Sequence, residues 1–255
     1  MKLKFFVLAV LSAVVLSACE KPENQYMSVV TLKDGGPDAL GKKRTLLQAD
    51  DQTILVPTKT LEFVKKQRAL VTFYDRGEIE PEIEGSPCKW ISVELTGRDT
   101  IYTKPVSEPG SIENNSTLDV YRSWVNSIED NYLTILIDAA WNDVRKVHTI
   151  SLESTDVPYV FELKHNKGED GEPVRTVSGV IAFDMEGRLP STAGSTVTIK
   201  YKGNPTVDYK DGKDKAIYWK LNEEGRFIGP EAVQKDESLN VASASAVSAA
   251  ALNLE

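Results

Sequence analysis

The sequence predicts a mainly β protein in which a small closed barrel is followed by an antiparallel β-sandwich. Short runs rich in β-branched and aromatic residues recur along the chain, each bounded by Gly, Pro, Asn or Asp, and this pattern is typical of barrels and sandwiches. Residues 103–117 (TKPVSEPGSIENNST) divide the runs into two series. Because this stretch has the composition of a linker, we expect a domain boundary there.

The first series predicts a barrel over residues 25–102. The two runs on either side of residues 49–52 (ADDQ) indicate a hairpin. A set of five strands in so short a segment suits a small closed barrel. The predicted strands are 26–32, 44–48, 53–56, 68–74 and 89–95.

The second series predicts a β-sandwich over residues 118–221. Residues 132–140 (YLTILIDAA) form its most apolar run and are expected in the middle of a sheet. Residues 167–173 (KGEDGEP) have the composition of a hairpin tip. The predicted strands are 118–125 (alternatively a helical turn), 132–140, 145–152, 159–165, 175–183, 195–201 and 216–221. Residues 222–255 end in an Ala/Ser-rich stretch and are predicted to form a weakly ordered tail.

The N-terminus predicts export and lipid attachment. Lys2 and Lys4 precede an apolar run at 5–16, which has the length of a signal-peptide core and is too short for a permanent membrane span. The run ends in Leu-Ser-Ala-Cys, which resembles the lipobox of bacterial lipoproteins. We therefore expect residues 1–18 to be removed and Cys19 to carry the lipid, with an ordinary secretory signal as the alternative. Two or more acyl chains give stable anchoring, and the outer membrane is the expected location.

Several segments resemble one known family. Residues 148–152 (HTISL), 161–166 (FELKHN) and 179–183 (GVIAF) are similar to the C-terminal domain of the NigD-like lipoproteins of the Bacteroidota, with Lys164 where that family usually has arginine. Residues 45–57 (TLLQADDQTILVP) are similar to the family's N-terminal part. The resemblance covers roughly residues 25–221. It implies an OB-like barrel followed by a β-sandwich and, by analogy with the operon behind the family's name, bacteriocin immunity.

Composition argues against a nucleic-acid partner. The formal net charge is −8, and loss of Lys2 and Lys4 with the signal peptide would make the chain more acidic still. Such a chain lacks the positive surface that a phosphate backbone requires. If Cys19 is lipidated, Cys88 is the only other cysteine and no intramolecular disulfide can form. We expect Cys88 to be a small buried residue of a strand, with a reactive thiol as the alternative.

No catalytic signature stands out in the sequence, and we predict that the protein is not an enzyme and needs no cofactor. The chain has two histidines, His148 and His165, and each alternates with apolar residues of a predicted strand. We predict that both are core residues that form hydrogen bonds across the sandwich. A shared metal site is the alternative, but it lacks the cysteine or clustered carboxylates that such sites normally add. Residues 208–214 (DYKDGKD) suit a turn better than a calcium loop.

Two surface features suggest modification or ligand binding. Thr100, within Asp99-Thr100-Ile101, resembles an O-glycosylation site of exported Bacteroidota proteins. Trp141 and Tyr121 lie beside polar residues, so they are predicted to form a ligand surface on which sugar rings could stack. We therefore predict a membrane-anchored, non-enzymatic binding or accessory module for an envelope protein partner, with a carbohydrate-binding lipoprotein as the alternative.

Overall fold

The computed structural model describes residues 24–37, 40–41, 43–83, 86–113, 116–120, 123–203 and 214–229, and all regular secondary structure within them is β. The predicted signal peptide, Cys19, Tyr121, residues 208–213 and the tail from residue 230 lie outside the described residues. The described segments contain no helix with the length and apolarity needed to cross a membrane.

The first five strands close into a barrel with the order β1-β2-β3-β5-β4, and β4 returns to pair with β1. β3 and β5 run parallel. This is the OB-like barrel that the sequence predicts, and all five predicted strands are present. The strands are β1 (Gln25–Pro37), β2 (Lys43–Asp50), β3 (Thr53–Pro57), β4 (Gln67–Ile79) and β5 (Lys89–Thr100).

Three barrel strands extend beyond their predicted ends. β4 continues past residue 74 and β5 past residue 95 through mostly exposed positions, and β1 similarly continues to Pro37. The hydrophobic pattern could not mark these ends because their side chains are not buried. The interior is filled by apolar residues from all five strands, namely Val30, Leu32, Leu47, Leu55, Ala69, Val71, Phe73 and Val93.

The remaining strands form two sheets around a second core. One sheet has the order β10-β11-β13-β14-β15, and the other has the order β6-β12-β9-β7, with β8 also paired to β9. These strands are β6 (Tyr102–Pro105), β7 (Leu118–Val120), β8 (Ser127–Glu129), β9 (Tyr132–Trp141), β10 (Thr149–Ser154), β11 (Val160–Asn166), β12 (Arg175–Asp184), β13 (Thr196–Lys202), β14 (Asp214–Leu221) and β15 (Phe227–Ile228).

The sandwich is not purely antiparallel. The pairs β6–β12 and β11–β13 are parallel. The chain leaves β11, crosses to the other sheet as β12 and returns as β13, so β13 runs in the same direction as its neighbour β11. The sequence pattern carries no signal for such a crossing.

Residues 103–117, predicted to be a linker, belong to the sandwich instead. β6 begins at Tyr102 and pairs with β12. Further along, Ser107 and Ser116 form isolated bridges to Glu153 and His165. Composition predicted a linker because the segment is held by contacts with residues far away in sequence rather than by a hydrophobic pattern of its own.

Glu153 holds much of that segment in place. Its buried carboxylate accepts hydrogen bonds from the backbone N–H groups of Gly110 and Ile112, both at 2.8 Å. The ammonium of Lys164 lies 2.8 Å from the same carboxylate. Burial acts to raise the pKa of Glu153, but Lys164 and the two backbone groups hold it below its ordinary value. Lys164 of the FELKHN segment is thus part of the packing of the 106–113 segment.

Other boundaries also differ from prediction. The predicted strand 118–125 ends at Val120, and β8 follows as a separate short strand. The predicted strand 145–152 begins only at Thr149 because residues 142–147 form the turn from β9. β15, within the predicted tail, pairs with the end of β14.

The barrel packs on the outer face of the sheet that contains β9 and β12. Val29 and Leu70 of the barrel meet Val180, Ala182 and Leu136 of that sheet. The two domains therefore share an apolar joint. Arg68 of β4 is fully buried there.

Two of the polar contacts of Arg68, those with Thr134 and Glu129, cross the joint, and the contact with Thr31 lies within the barrel. The Arg68 guanidinium donates to Thr134 of β9 at 3.2 Å and to Thr31 of β1 at 2.9 Å, and it lies 3.3 Å from the carboxylate of Glu129. Next to it, Lys33 forms an ion pair with Asp130 at 2.8 Å. These bonds fix the orientation of the barrel against the sandwich.

Candidate functional site

The most concentrated group of titratable and aromatic side chains lies at the end of the sandwich where β9 ends and β12 begins. We call it the histidine site. It consists of Trp141, His148, His165, Asp170 and the backbone carbonyl of Thr117. Two loops meet over it, residues 142–147 between β9 and β10 and residues 167–174 between β11 and β12.

Strand alternation aims these side chains inward. Trp141 is the last residue of β9, and the residues that precede it at steps of two, Ala139, Ile137 and Ile135, are fully buried. His165 follows the buried Leu163 in the same way on β11. Trp141 is 1 % exposed, so the prediction that it forms a ligand surface is wrong. Its polar neighbours in sequence belong to the turn and do not reflect its own environment.

The polar members form one chain of hydrogen-bond contacts through the core. Asp170 Oδ2 lies 3.0 Å from His148 Nε2, and His148 Nδ1 lies 2.8 Å from His165 Nε2. His165 Nδ1 lies 2.9 Å from the carbonyl oxygen of Thr117, at the start of β7. Both histidines are buried and hydrogen-bonded, which confirms the interpretation of both as core residues. The contact between them joins the ends of β10 and β11, neighbours in one sheet, and only the contact of His165 with Thr117 reaches the other sheet.

Trp141 covers this chain of hydrogen-bond contacts on one side. Its indole stacks on the His148 ring with the centroids 3.7 Å apart and the planes 8° from parallel. The indole N–H donates to the carbonyl of Lys146 at 3.4 Å. Trp141 therefore packs both the histidines and the loop above them.

Asp170 joins the two loops. Its carboxylate accepts backbone N–H groups of Asn142 at 2.8 Å and of Asp143 at 3.1 Å, in addition to the contact with His148. The sequence placed Asp170 in a hairpin tip, but β11 and β12 belong to different sheets, so this loop joins the two sheets and is not a hairpin. Composition could show only that aspartate suits a turn, because, apart from the neighbouring Gly171 N–H, its partners lie more than twenty residues away.

The pKa values in the site reflect burial opposed by local bonds. Burial lowers the pKa of His165 to about 4. Burial acts to lower the pKa of His148, whereas the hydrogen bond and the charge of Asp170 act to raise it. Burial acts to raise the pKa of Asp170, but the N–H groups of Asn142 and Asp143 and the bond to His148 hold it below its ordinary value.

Comparison with known families places this site within a described domain type. Residues 102–216 match the family model for the NigD-like C-terminal beta sandwich domain. These residues form a NigD-like domain. The match begins at β6 and so includes the predicted linker, in agreement with the pairing of β6. No curated protein matches the chain.

Three similar solved structures come from Bacteroides species. A protein of unknown function, DUF1344, from Bacteroides vulgatus has a TM-score of 0.54 at 14 % identity, over 81 % of this chain and 97 % of that one, which shows a shared fold. A NigD-like immunity protein from Bacteroides caccae gives 0.44 at 13 %, over 81 % and 92 %. A candidate lipoprotein from Bacteroides fragilis gives 0.46 at 17 %, over 76 % and 97 %.

The histidine site of the NigD-like domain leaves little room for metal or acid–base chemistry. Its ring nitrogens are directed at one another, at Asp170 and at a carbonyl, so all four are used internally. Within the described ranges, no three His, Cys, Asp or Glu side chains are grouped to hold a metal ion. A general base must reach a substrate proton, and His148 and His165 are 0 % and 1 % exposed.

The other predicted site residues are separate from the histidine site. Thr100 lies at the exposed end of β5, so its hydroxyl is accessible, and O-glycosylation there stays a prediction. Cys88 is half-buried, not buried, because it precedes β5 instead of lying within it. Its thiol lies 3.5 Å from the carbonyl of Asp51. Cys19 and Tyr121 fall outside the described residues.

The low pKa of His165 predicts that the fold weakens in mild acid. A histidine with a folded-state pKa of about 4 takes up a proton more readily when unfolded, where its pKa is about 6.5. Its neutral state therefore contributes stability above pH 6.5, and this contribution is lost as the pH falls from about 6.5 to 4. The full shift corresponds to about 3 kcal/mol.

Urea unfolding of the wild-type chain and of His165→Gln, at half-unit steps from pH 4 to 7.5, measures this effect. We expect the variant to be less stable at pH 7.5 but to lose less stability on acidification. Carboxylates titrate in both proteins, so the difference between the two curves isolates the histidine. Parallel curves would show that His165 does not titrate differently on folding.

Proposed function

We propose that this protein is a lipid-anchored, non-enzymatic module of the bacterial envelope that binds a protein partner through two loops of its NigD-like domain. These are the loops at 142–147 and 167–174, over the histidine site. The observation that carries the proposal is a contrast in solvent exposure at this end of the sandwich. The reactive side chains are buried and mutually bonded, while the loops that they support reach solvent.

The loops carry an apolar rim. Val144, Val147 and Val174 are exposed, and Val174 is 75 % exposed. Clustered exposed apolar residues among polar ones are typical of protein contact sites. Asp170 fixes both loops to the core, so little conformational entropy would be lost when they bind. This favours a preformed binding face.

The proposed anchor is a lipid on Cys19. Only residues 20–24 separate it from the start of β1 at Gln25. Six residue steps span at most about 20 Å when fully extended, so a lipid on Cys19 would hold the barrel close to the membrane. The NigD-like domain would then lie on the side of the joint away from the anchored barrel. The outer membrane is the membrane we propose.

Metabolic labelling with an alkyne fatty acid tests the anchor. We expect the wild-type chain to be labelled and to sediment with membranes, and Cys19→Ser to lose both properties. Cys88→Ser is the matched control, because it removes the other cysteine and should remain labelled. Labelling that depends on Cys88 instead of Cys19 would contradict the anchor.

Charge substitution in the apolar rim tests the binding face. In cells that express a tagged chain, cross-linking and affinity capture should recover one recurrent envelope protein. We expect Val174→Asp to reduce its recovery at least tenfold. Val157→Asp is the control, since Val157 is 56 % exposed in the β10–β11 turn at the other end of the sandwich. Equal recovery from both variants would exclude the rim as the binding face.

Sugar binding is a second candidate, favoured by Trp124. This indole is 54 % exposed, so its ring is available for stacking, whereas Trp141 is not. A glycan array probed with the wild-type chain and with Trp124→Ala tests the idea. Binding that is lost in the variant would support it, and the absence of any bound glycan would exclude it. Bacteriocin immunity remains a prediction from family resemblance, and unchanged bacteriocin sensitivity of a deletion strain would count against it.

A further inference from the structure

The hydrogen-bond chain of the histidine site needs more protons than two neutral histidines and an ionised aspartate carry. Three contacts link Asp170, His148, His165 and the Thr117 carbonyl, at 3.0, 2.8 and 2.9 Å. Each is short enough to be a hydrogen bond, and each therefore needs one proton between its two atoms. Two neutral imidazoles and an ionised carboxylate supply only two.

The direction of the chain is fixed at the Thr117 end. A carbonyl oxygen can only accept, so His165 Nδ1 must carry a proton. If His165 is neutral, its Nε2 is then an acceptor and His148 Nδ1 must donate to it. A neutral His148 would have a bare Nε2, which would face the carboxylate oxygen of Asp170 lone pair to lone pair at 3.0 Å.

We propose that the folded protein holds a third proton in this chain at neutral pH, as an imidazolium on His148 that is paired with the Asp170 carboxylate. The pair and its neighbour His165 then satisfy all three contacts, and the buried group has no net charge. A buried charge is tolerated where it is paired and hydrogen-bonded in this way.

The surroundings of His148 support the assignment. The indole of Trp141 lies face to face with the ring at 3.7 Å, and a cation is attracted to the face of an indole. Asp170 is held as a carboxylate by the N–H groups of Asn142 and Asp143. Burial alone would leave His148 neutral, but the Trp141 ring and the Asp170 carboxylate both stabilise its charged form.

Both loops also carry charged groups. The β9–β10 loop contributes Asp143, which is paired with Arg145, and Lys146. The β11–β12 loop contributes Lys167, Glu169 and Glu172. The charge of Lys167 acts to lower the pKa of both histidines, and β7 presents only the uncharged Thr117 carbonyl. Lys167 is therefore the group that would help to expel the proton at higher pH.

The third proton would make the support of the two loops sensitive to pH. While it is present, His148 attaches Asp170, and with it both loops, to the core. Its loss in alkali would turn this attachment into a repulsive contact, and the loop ends would loosen. The binding face is proposed from the exposed rim of the loops and not from this proton, so either proposal can fail without the other.

A count of protonated ring nitrogens tests the proposal directly. The chain has only two histidines, so the full-length chain without a histidine tag, labelled with ¹⁵N-histidine, has four ring nitrogens. Long-range ¹H–¹⁵N correlation spectra separate protonated from bare nitrogens. At pH 7 we expect three protonated nitrogens, two on one ring and one on the other. Two neutral rings with one protonated nitrogen each would overturn the proposal.

Asp170→Asn provides the matched variant. An asparagine amide can donate to His148 Nε2, so all three contacts can be made with both rings neutral, although the bond from the Asn142 N–H to the same side-chain atom is then lost. We expect the count to fall from three to two at pH 7. Three protonated nitrogens in this variant would show that Asp170 does not hold the proton. If the variant does not fold, the wild-type count decides the question alone.

Discussion

Replacement of Trp141 by alanine is expected to destabilise the folded protein by about 3–5 kcal/mol. The side chain is 1 % exposed and belongs to the main core cluster of the sandwich. Its removal would leave a cavity beside His148 and would remove the donor to the Lys146 carbonyl. Urea unfolding followed by circular dichroism measures the change without relying on tryptophan fluorescence.

Trp124→Ala is the control for Trp141→Ala. It deletes the same side chain, but from a position that is 54 % exposed. We expect its effect to lie within about 0.5 kcal/mol, as for most surface substitutions. Similar losses from both variants would show that the structure assigns the burial of these two tryptophans incorrectly.

The second large effect is expected at the joint between the domains. Glu129→Ala should cost about 3 kcal/mol because it leaves the guanidinium of Arg68 without its nearest counter-charge. The Arg68 side chain is 0 % exposed, whereas that of Glu129 is 31 % exposed, so water cannot compensate the arginine. Chemical unfolding of the purified chain would measure the loss.

The difference in burial between Arg68 and Glu129 predicts the order of the stability losses in their variants. Arg68→Met should cost less than Glu129→Ala, because the glutamate left behind is partly solvated and methionine fills much of the space. In the double variant, Arg68→Met should recover most of the loss caused by Glu129→Ala. A loss that is simply the sum of the two single losses would show that the two groups do not interact.

Runs of β-branched, aromatic and other apolar residues were sufficient to predict much of the fold. They marked the five barrel strands and the central strand β9, and alternation placed both histidines on apolar faces. These patterns failed where a segment is held by distant partners. β6 and the 106–113 segment look like a linker because Glu153 and β12, which hold them, lie far away in sequence.

The site was predictable only in part, for the same reason. The inward face of Trp141 was readable from its even spacing after Ile135 and Ile137, but its polar neighbours in sequence suggested a surface position. Asp170 could not be found, because an aspartate in a glycine-containing turn normally serves that turn. Only the fold brings it to His148 and to the 142–143 backbone.

The central claim is that the loops above the histidine site bind a protein partner, and photo-cross-linking in living cells tests it most directly. A photoreactive amino acid replaces Val174 in one strain and Val157 in another, with the anchor intact. We expect a discrete cross-linked envelope protein from position 174 and none from position 157. A cross-link of equal strength from both positions, or from position 157 alone, would contradict it.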